Sequence, residues 1–236
     1  MSFIKDLCIA FLLTLSLMGL FIFVTNSPLF ELKALRVEGN QKVSYADILN
    51  LCPFKLGQNL LKIDTEKTRE KIVSDPRIAY VRVERRLPQK VVIRLEEKQP
   101  VLLINLENMY GLTPQGEIIP LEGDFNLPVV NGIETKKTKP YQKLKSRKVG
   151  LALSLRNSLY RIDPNILNLI SEMSLKEKEN VIFYLVPKGA KVLLGWGDFE
   201  RKLIRFSLIL RGETEFEKIE CIDLRFKGQA IVRRAE

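Results

Sequence analysis

From Leu7 to Val24 the chain reads LCIAFLLTLSLMGLFIFV, 18 consecutive residues without a charge. As a helix such a run spans about 27 Å, close to the hydrocarbon thickness of a bilayer. A cleavable signal peptide is the competing reading. Its apolar region is normally shorter and followed by a small-x-small site, and Val24-Thr25-Asn26-Ser27-Pro28 offers none. The pattern therefore predicts a stub over 1–6 and an uncleaved transmembrane signal anchor over 7–25. Lys5 against Asp6 on one side, and Lys33 and Arg36 on the other, leave positive-inside counting undecided. A stub this short ordinarily stays inside, so the bulk of the chain is expected outside the cytoplasm.

Beyond Pro28 the apolar period shortens to two. Leu35 and Val37 flank Arg36 and end at Glu38-Gly39-Asn40, a short strand with a turn. Ser44-Tyr45-Ala46-Asp47 opens a helix carrying Ile48, Leu49 and Leu51, which Pro53 stops. A second helix is expected from about Thr65 to Ser74, capped by Asp64 or Thr65, with Ile72 and Val73 inward. Two strands follow, Ala79-Val81-Val83 and Val91-Ile93-Leu95 alternating with polar neighbours across a turn at Leu87-Pro88-Gln89. Strand, helix, helix, strand, strand makes a unit over 29–98 that is marginal alone.

From residue 99 to 236 short strands alternate with Pro and Gly. Segments 101–106, 117–121 and 128–130 read as strands, followed by a charged linker and a helix from about Tyr141 to Arg161. Leu144, Leu151, Leu155, Leu159 and Ile162 recur there at helical spacing and form a core face. Strands at 181–186 and 191–194, a helix over 198–211, and closing strands at 219–226 and 229–233 complete the list. The fold class is α+β: one N-terminal transmembrane helix, a β-α-α-β-β module, then a mainly antiparallel β domain with two helices.

Composition narrows the chemistry. The 236 residues hold 38 Lys and Arg, 28 Asp and Glu and no histidine, for a net charge of +10. His-based triads, His-ligated zinc and imidazole switching are thereby excluded. Gly195-Trp196-Gly197 lacks the third glycine of a dinucleotide loop and reads as a turn. Glu96 and Glu97 are strand neighbours on opposite faces, unsuited to a shared acid–base role. No carboxylate cluster or C-x-x-C has metal spacing, and Cys52 and Cys221 read as buried free thiols. Neither catalytic residues, cofactor nor small-molecule substrate is expected. Lys136, Lys137, Lys139, Lys143, Lys145, Arg147 and Lys148 form a basic run. Its readings are nucleic acid, disfavoured by compartment, an acidic partner or lipid surface, and a solvated linker, which we prefer.

Several motifs carry a resemblance. Leu35-Arg36-Val37-Glu38-Gly39-Asn40 is similar to the opening strand of a POTRA module, and Asp75-Pro76-Arg77-Ile78-Ala79-Tyr80-Val81-Arg82-Val83 to its second helix end and second strand. Glu96 to Val101 resembles the exit into a β domain, and Cys221-Ile222-Asp223-Leu224-Arg225-Phe226, then Gly228, is the most specific match. The whole chain thus resembles the bacterial FtsQ/DivIB division proteins, most weakly over 105–180. Leu87-Pro88 stands where Trp-Pro is common in the family, and Thr113 where Asp is common.

The resemblance implies a non-enzymatic, single-pass scaffold of the divisome, sited at the septum in the cytoplasmic membrane, with its bulk on the extracytoplasmic side. It implies FtsB-like and FtsL-like partners, and other division proteins. Arg225, Phe226, Lys227 and Gly228, on a C-terminal edge strand, are the implied partner-binding site. Arg82 and Arg94 form a candidate recruitment face. A POTRA-bearing export or outer-membrane assembly component, or a membrane-anchored wall-modifying enzyme, are the alternatives.

Overall fold

A computed structural model describes residues 2–135, 138–177, 180–212 and 218–235. The chain folds as two compact units, Met1–Lys98 and Gln99–Glu236. The first begins with α1 (Ser2–Asn26), in which Lys5–Val24 is long and apolar enough to cross a membrane, with a mean hydropathy of 2.7 and none of that window buried. Phe11, Met18 and Phe23 point outward around its circumference. An all-round apolar helix that packs on no protein suits lipid rather than water. Ser27 follows it and caps a short 3-10 turn, Pro28–Phe30, by accepting the Leu29 N–H.

The rest of the first unit is β1 (Ala34–Glu38), α2 (Tyr45–Leu51), α3 (Thr65–Val73), β2 (Ile78–Arg86) and β3 (Lys90–Glu97). The sheet order is β1-β3-β2, with β1 parallel and β2 antiparallel to β3. A parallel pair needs a crossover, and α2 and α3 supply it. Ser44 caps α2 through the Asp47 N–H, and Asp64 caps α3 through the N–H groups of Glu66 and Lys67. Ile48, Ile72, Leu60, Val91 and Ile93 are fully buried between helices and sheet. Gly39, at φ +90°, lies so close to β3 that a Cβ there would come 2.1 Å from the Leu95 carbonyl oxygen, so only glycine fits.

Two inward positions differ from expectation. Val73 is exposed, because one step of about 100° from Ile72 carries it off the core face of α3. A bulge between Ile78 and Tyr80 leaves both Ala79 and Tyr80 outside, and alternation resumes only at Val81.

The second unit contains β4 (Leu102–Asn105), β5 (Met109–Leu112), β6 (Ile118–Ile119), β7 (Val129–Asn131), α4 (Arg147–Ile162), β8 (Ile170–Glu177), β9 (Asn180–Leu185), β10 (Lys191–Gly195), α5 (Phe199–Gly212), β11 (Ile219–Asp223) and β12 (Ile231–Arg234). Among the described residues they make one nine-stranded sheet, ordered β12-β11-β10-β9-β8-β7-β4-β5-β6. The β10–β11, β4–β7 and β7–β8 pairs are parallel and the others antiparallel. One register row crosses it: Ile222, Val192, Phe183, Met173, Val130 and Ile104 are successive partners, all fully buried. Val149, Ala152, Leu155 and Leu159 of α4, with Leu203 and Phe206 of α5, join the same core. The Phe183 and Phe206 rings meet tilted at 6.5 Å. Each such side chain contributes roughly 1.5–3 kcal/mol by leaving water.

Helix α4 begins at Arg147, not at Tyr141. Tyr141 has φ 64°, which no helix accommodates, and its N–H reaches the Ile118 carbonyl at 2.7 Å. Ile118 in turn donates to Gln142, and Leu144 donates to Gly116, so this stretch runs extended beside β6. Strands β5 and β8 stand where no strand is expected from the pattern.

Candidate functional site

Strand β12 is the edge of the large sheet, hydrogen-bonded to β11 through the pairs Asp223↔Ile231, Ile222↔Val232 and Cys221↔Arg233. No strand of the described residues lies on its other side. Arg233 is exposed on the strand, as is Ile231, which is 52% accessible. An edge of this kind can accept an extended segment, and basic side chains bias which one.

Arg225, Phe226, Lys227 and Gly228 do not lie on that strand. They form the connection between β11 and β12, because the strand ends at Asp223. Its carboxylate accepts the Arg225 N–H at 3.0 Å and the guanidinium through Nε at 3.0 Å and Nη2 at 2.6 Å. This local turn competes with further pairing. The Arg225 guanidinium also holds the Asp223 carboxyl below the usual carboxylate range. Gly228, at φ +76°, helps bring the chain back. With the strand ended, Phe226 escapes the core face that alternation assigns to it and is 48% exposed. Lys227 is exposed beside it.

Two residues that the pattern does not single out hold this corner. Arg205 of α5 donates from Nη1 to the carbonyls of Gln229 at 2.7 Å and Phe226 at 3.3 Å, fastening the connection to the helix. Lys202, 7% exposed, donates from Nζ to Leu194 at 2.8 Å and Trp196 at 3.0 Å, satisfying carbonyls at the end of β10. Burial pushes the Lys202 ammonium pKa down. The sequence signal was their place on a helix, where Lys202 precedes core Leu203 and Arg205 precedes core Phe206. The Gly195-Trp196-Gly197 stretch is a turn, both glycines having positive φ. A Cβ on Gly195 would approach Arg225 Cγ to 2.9 Å, so the arginine stem lies across it.

On the smaller sheet, Arg94 of β3 stands opposite Arg82 of β2. Arg94 donates to Glu38 at 2.9 Å and Glu84 at 3.3 Å, while Glu84 also pairs with Arg82 at 2.9 Å and Arg86 at 2.8 Å. The hydrogen bond from Arg94 keeps the Glu38 carboxyl below its ordinary range. This surface is an exposed ion-pair lattice in which arginines outnumber acids. At the exit of the unit Glu97 points inward and Glu96 outward. The Glu97 carboxylate accepts the N–H groups of Gln41 at 2.7 Å, Lys42 at 2.9 Å and Val43 at 2.9 Å. Burial raises its pKa, but the hydrogen bonds from Val43, Gln41 and Lys42 outweigh that and hold it below the usual range.

Cys221 is a buried free thiol, whereas Cys52 is free but only half-buried, and burial still pushes the Cys52 thiol up to about 11. Within the basic run, Lys136 and Lys137 lie outside the described residues. Lys148 donates to the Gly132 carbonyl at 2.6 Å, and Lys143 stands opposite Glu117 in an isolated antiparallel backbone pairing. Among the described residues no group of three or more Cys, Asp or Glu is arranged to hold a metal ion.

Residues 30–98 match the family model described as the POTRA domain, FtsQ-type. The cell division protein FtsQ of Syntrophotalea carbinolica is 28% identical over 211 residues, covering 88% of this chain and 75% of that protein. That of Geotalea daltonii is 26% identical over 220 residues, covering 92% and 80%. The cell division protein DivIB of Clostridium acetobutylicum is 25% identical over 209 residues, covering 86% and 83%. Residues 30–98 are thus an FtsQ-type POTRA domain, and over most of its length the chain is similar to the cell division proteins FtsQ and DivIB.

Proposed function

We propose that this chain is a non-enzymatic scaffold of the divisome, anchored by α1 with both folded units outside the cytoplasm. It joins other division proteins at the septum, and its C-terminal corner receives them. The observation that carries this reading is the open edge of β12, with exposed Phe226 in the turn leading into it. An extended segment of an FtsB-like protein, accompanied by an FtsL-like one, adds to β12 through backbone hydrogen bonds. Acidic side chains on that segment complement Lys227 and Arg233, while Phe226 supplies an aromatic anchor. Arg225 is already held by Asp223, so its role is to shape the turn rather than to reach the partner. Arg82 and Arg94 serve in recruitment as parts of a basic lattice.

The test is co-purification of tagged full-length chain with the FtsB-like and FtsL-like proteins of the same organism, using Phe226→Ala and Arg82→Ala. Phe226→Ala should weaken capture by at least about tenfold, the scale of an interface anchor, with unchanged melting. Arg82→Ala should leave capture intact and reduce septal localisation. Full capture by Phe226→Ala, or a melting loss that accounts for the defect, would defeat the reading.

A further inference from the structure

We propose that the anchor-proximal tip of the first unit is itself a lipid-binding surface that seats on the bilayer from which α1 emerges. Three leucines there are unusually bare: Leu29, Leu56 and Leu87 are 67%, 66% and 63% exposed. They come from three separate segments, yet backbone pairing gathers them. Leu32 donates to Gln58 and accepts from Gly57, both at 2.9 Å, which ties the segment holding Leu56 to the one holding Leu29. Lys33 and Ala34 donate to the Gln89 carbonyl at 2.9 and 3.2 Å, and the Gln89 side chain donates to the Pro28 carbonyl at 3.4 Å. These bonds fix the turn holding Leu87 beside the same chain.

That common chain is the continuation of the membrane helix. Leu29 lies three residues past Asn26, the last residue of α1, a path of at most about 10 Å. With α1 read as spanning, Leu29 cannot be far from the headgroups, and it brings the other two with it. Charge points to the same occupant. Segments 28–34, 53–58 and 85–90 contain Lys33, Lys55, Arg85, Arg86 and Lys90 against Glu31, with Arg86 paired to the adjoining Glu84, which leaves a basic excess. Leucines able to enter the acyl boundary, ringed by cations that pair with anionic headgroups, are what an interfacial lipid contact requires. The seating would orient the unit on the membrane without any further partner.

The test uses full-length chain reconstituted in vesicles of phosphatidylcholine and phosphatidylglycerol, with or without brominated acyl chains. Trp196→Phe removes the one tryptophan of the chain. Leu56→Trp and Leu87→Trp, introduced singly, then report on the tip. Tyr80→Trp is the control, 54% exposed and seven residues along β2 from Leu87, about 23 Å away. All three replaced side chains are exposed, so the fold tolerates the substitutions. Brominated chains should quench emission at 56 and 87 by about twofold or more and leave 80 nearly unaffected, as for side chains in the acyl boundary. Equal quenching at all three positions would overturn the proposal. So would a blue shift at 56 and 87 that grows only with chains per vesicle, since a second copy would then cover the tip.

Discussion

Glu97 shows how much one side chain can organise. Its carboxylate gathers three successive backbone N–H groups of the loop after β1 onto the last residue of β3. Glu97→Gln keeps the shape but removes the charge, and should cost about 1–3 kcal/mol. Amide exchange at Gln41 to Val43 should accelerate accordingly. Because the folded carboxyl lies below its unfolded value near 4.5, the stabilisation is complete above that pH and is lost as pH falls through the lower folded value. Acidification should therefore lower the protection of these amides relative to their intrinsic exchange, and Glu97→Gln should abolish that pH dependence. Cys52 makes a second test. A thiol raised from 9.0 to about 11 carries about a hundredfold less thiolate at neutral pH. Its alkylation should be slower than that of an unperturbed thiol by a comparable factor.

At the scale of elements, α5 is joined to the sheet by more than apolar packing. Lys202→Met retains most of the stem but strands the Leu194 and Trp196 carbonyls, and should lower stability by about 1–3 kcal/mol. A melting point unchanged in that variant would mean that water replaces the ammonium. Elements announced by capping or strict alternation were legible in the sequence: Ser44 before α2, Asp64 before α3, the Val91-Ile93-Leu95 strand. Those built on irregular pairing were not. Strand β8 has register shifts near both ends and buries Ser174 with Met173 and Leu175, which blurs its period of two. Strand β5 is four residues with a central glycine. The early end of β11 depends on Asp223 turning back on Arg225, and the alternation that runs on to Phe226 conceals it. That is why the four site residues were expected on an edge strand and are found in the turn leading into it.

In the whole molecule, an apolar helix, a small α/β unit with a basic outer lattice, and a large sheet with one open basic edge are strung in sequence. On the proposed reading, tethering and partner capture use each of these three features. The most direct test of that account is photocrosslinking in living cells, with a photoreactive residue in place of Ile231 or Arg233 on β12 and of Met109 on β5, a strand on the opposite side of the sheet order. The FtsB-like protein should crosslink at 231 and 233 and not at 109, with the complex found at the septum. Crosslinking at 109 alone, or none at 231 and 233 while the partner still co-purifies, would contradict capture at the β12 edge.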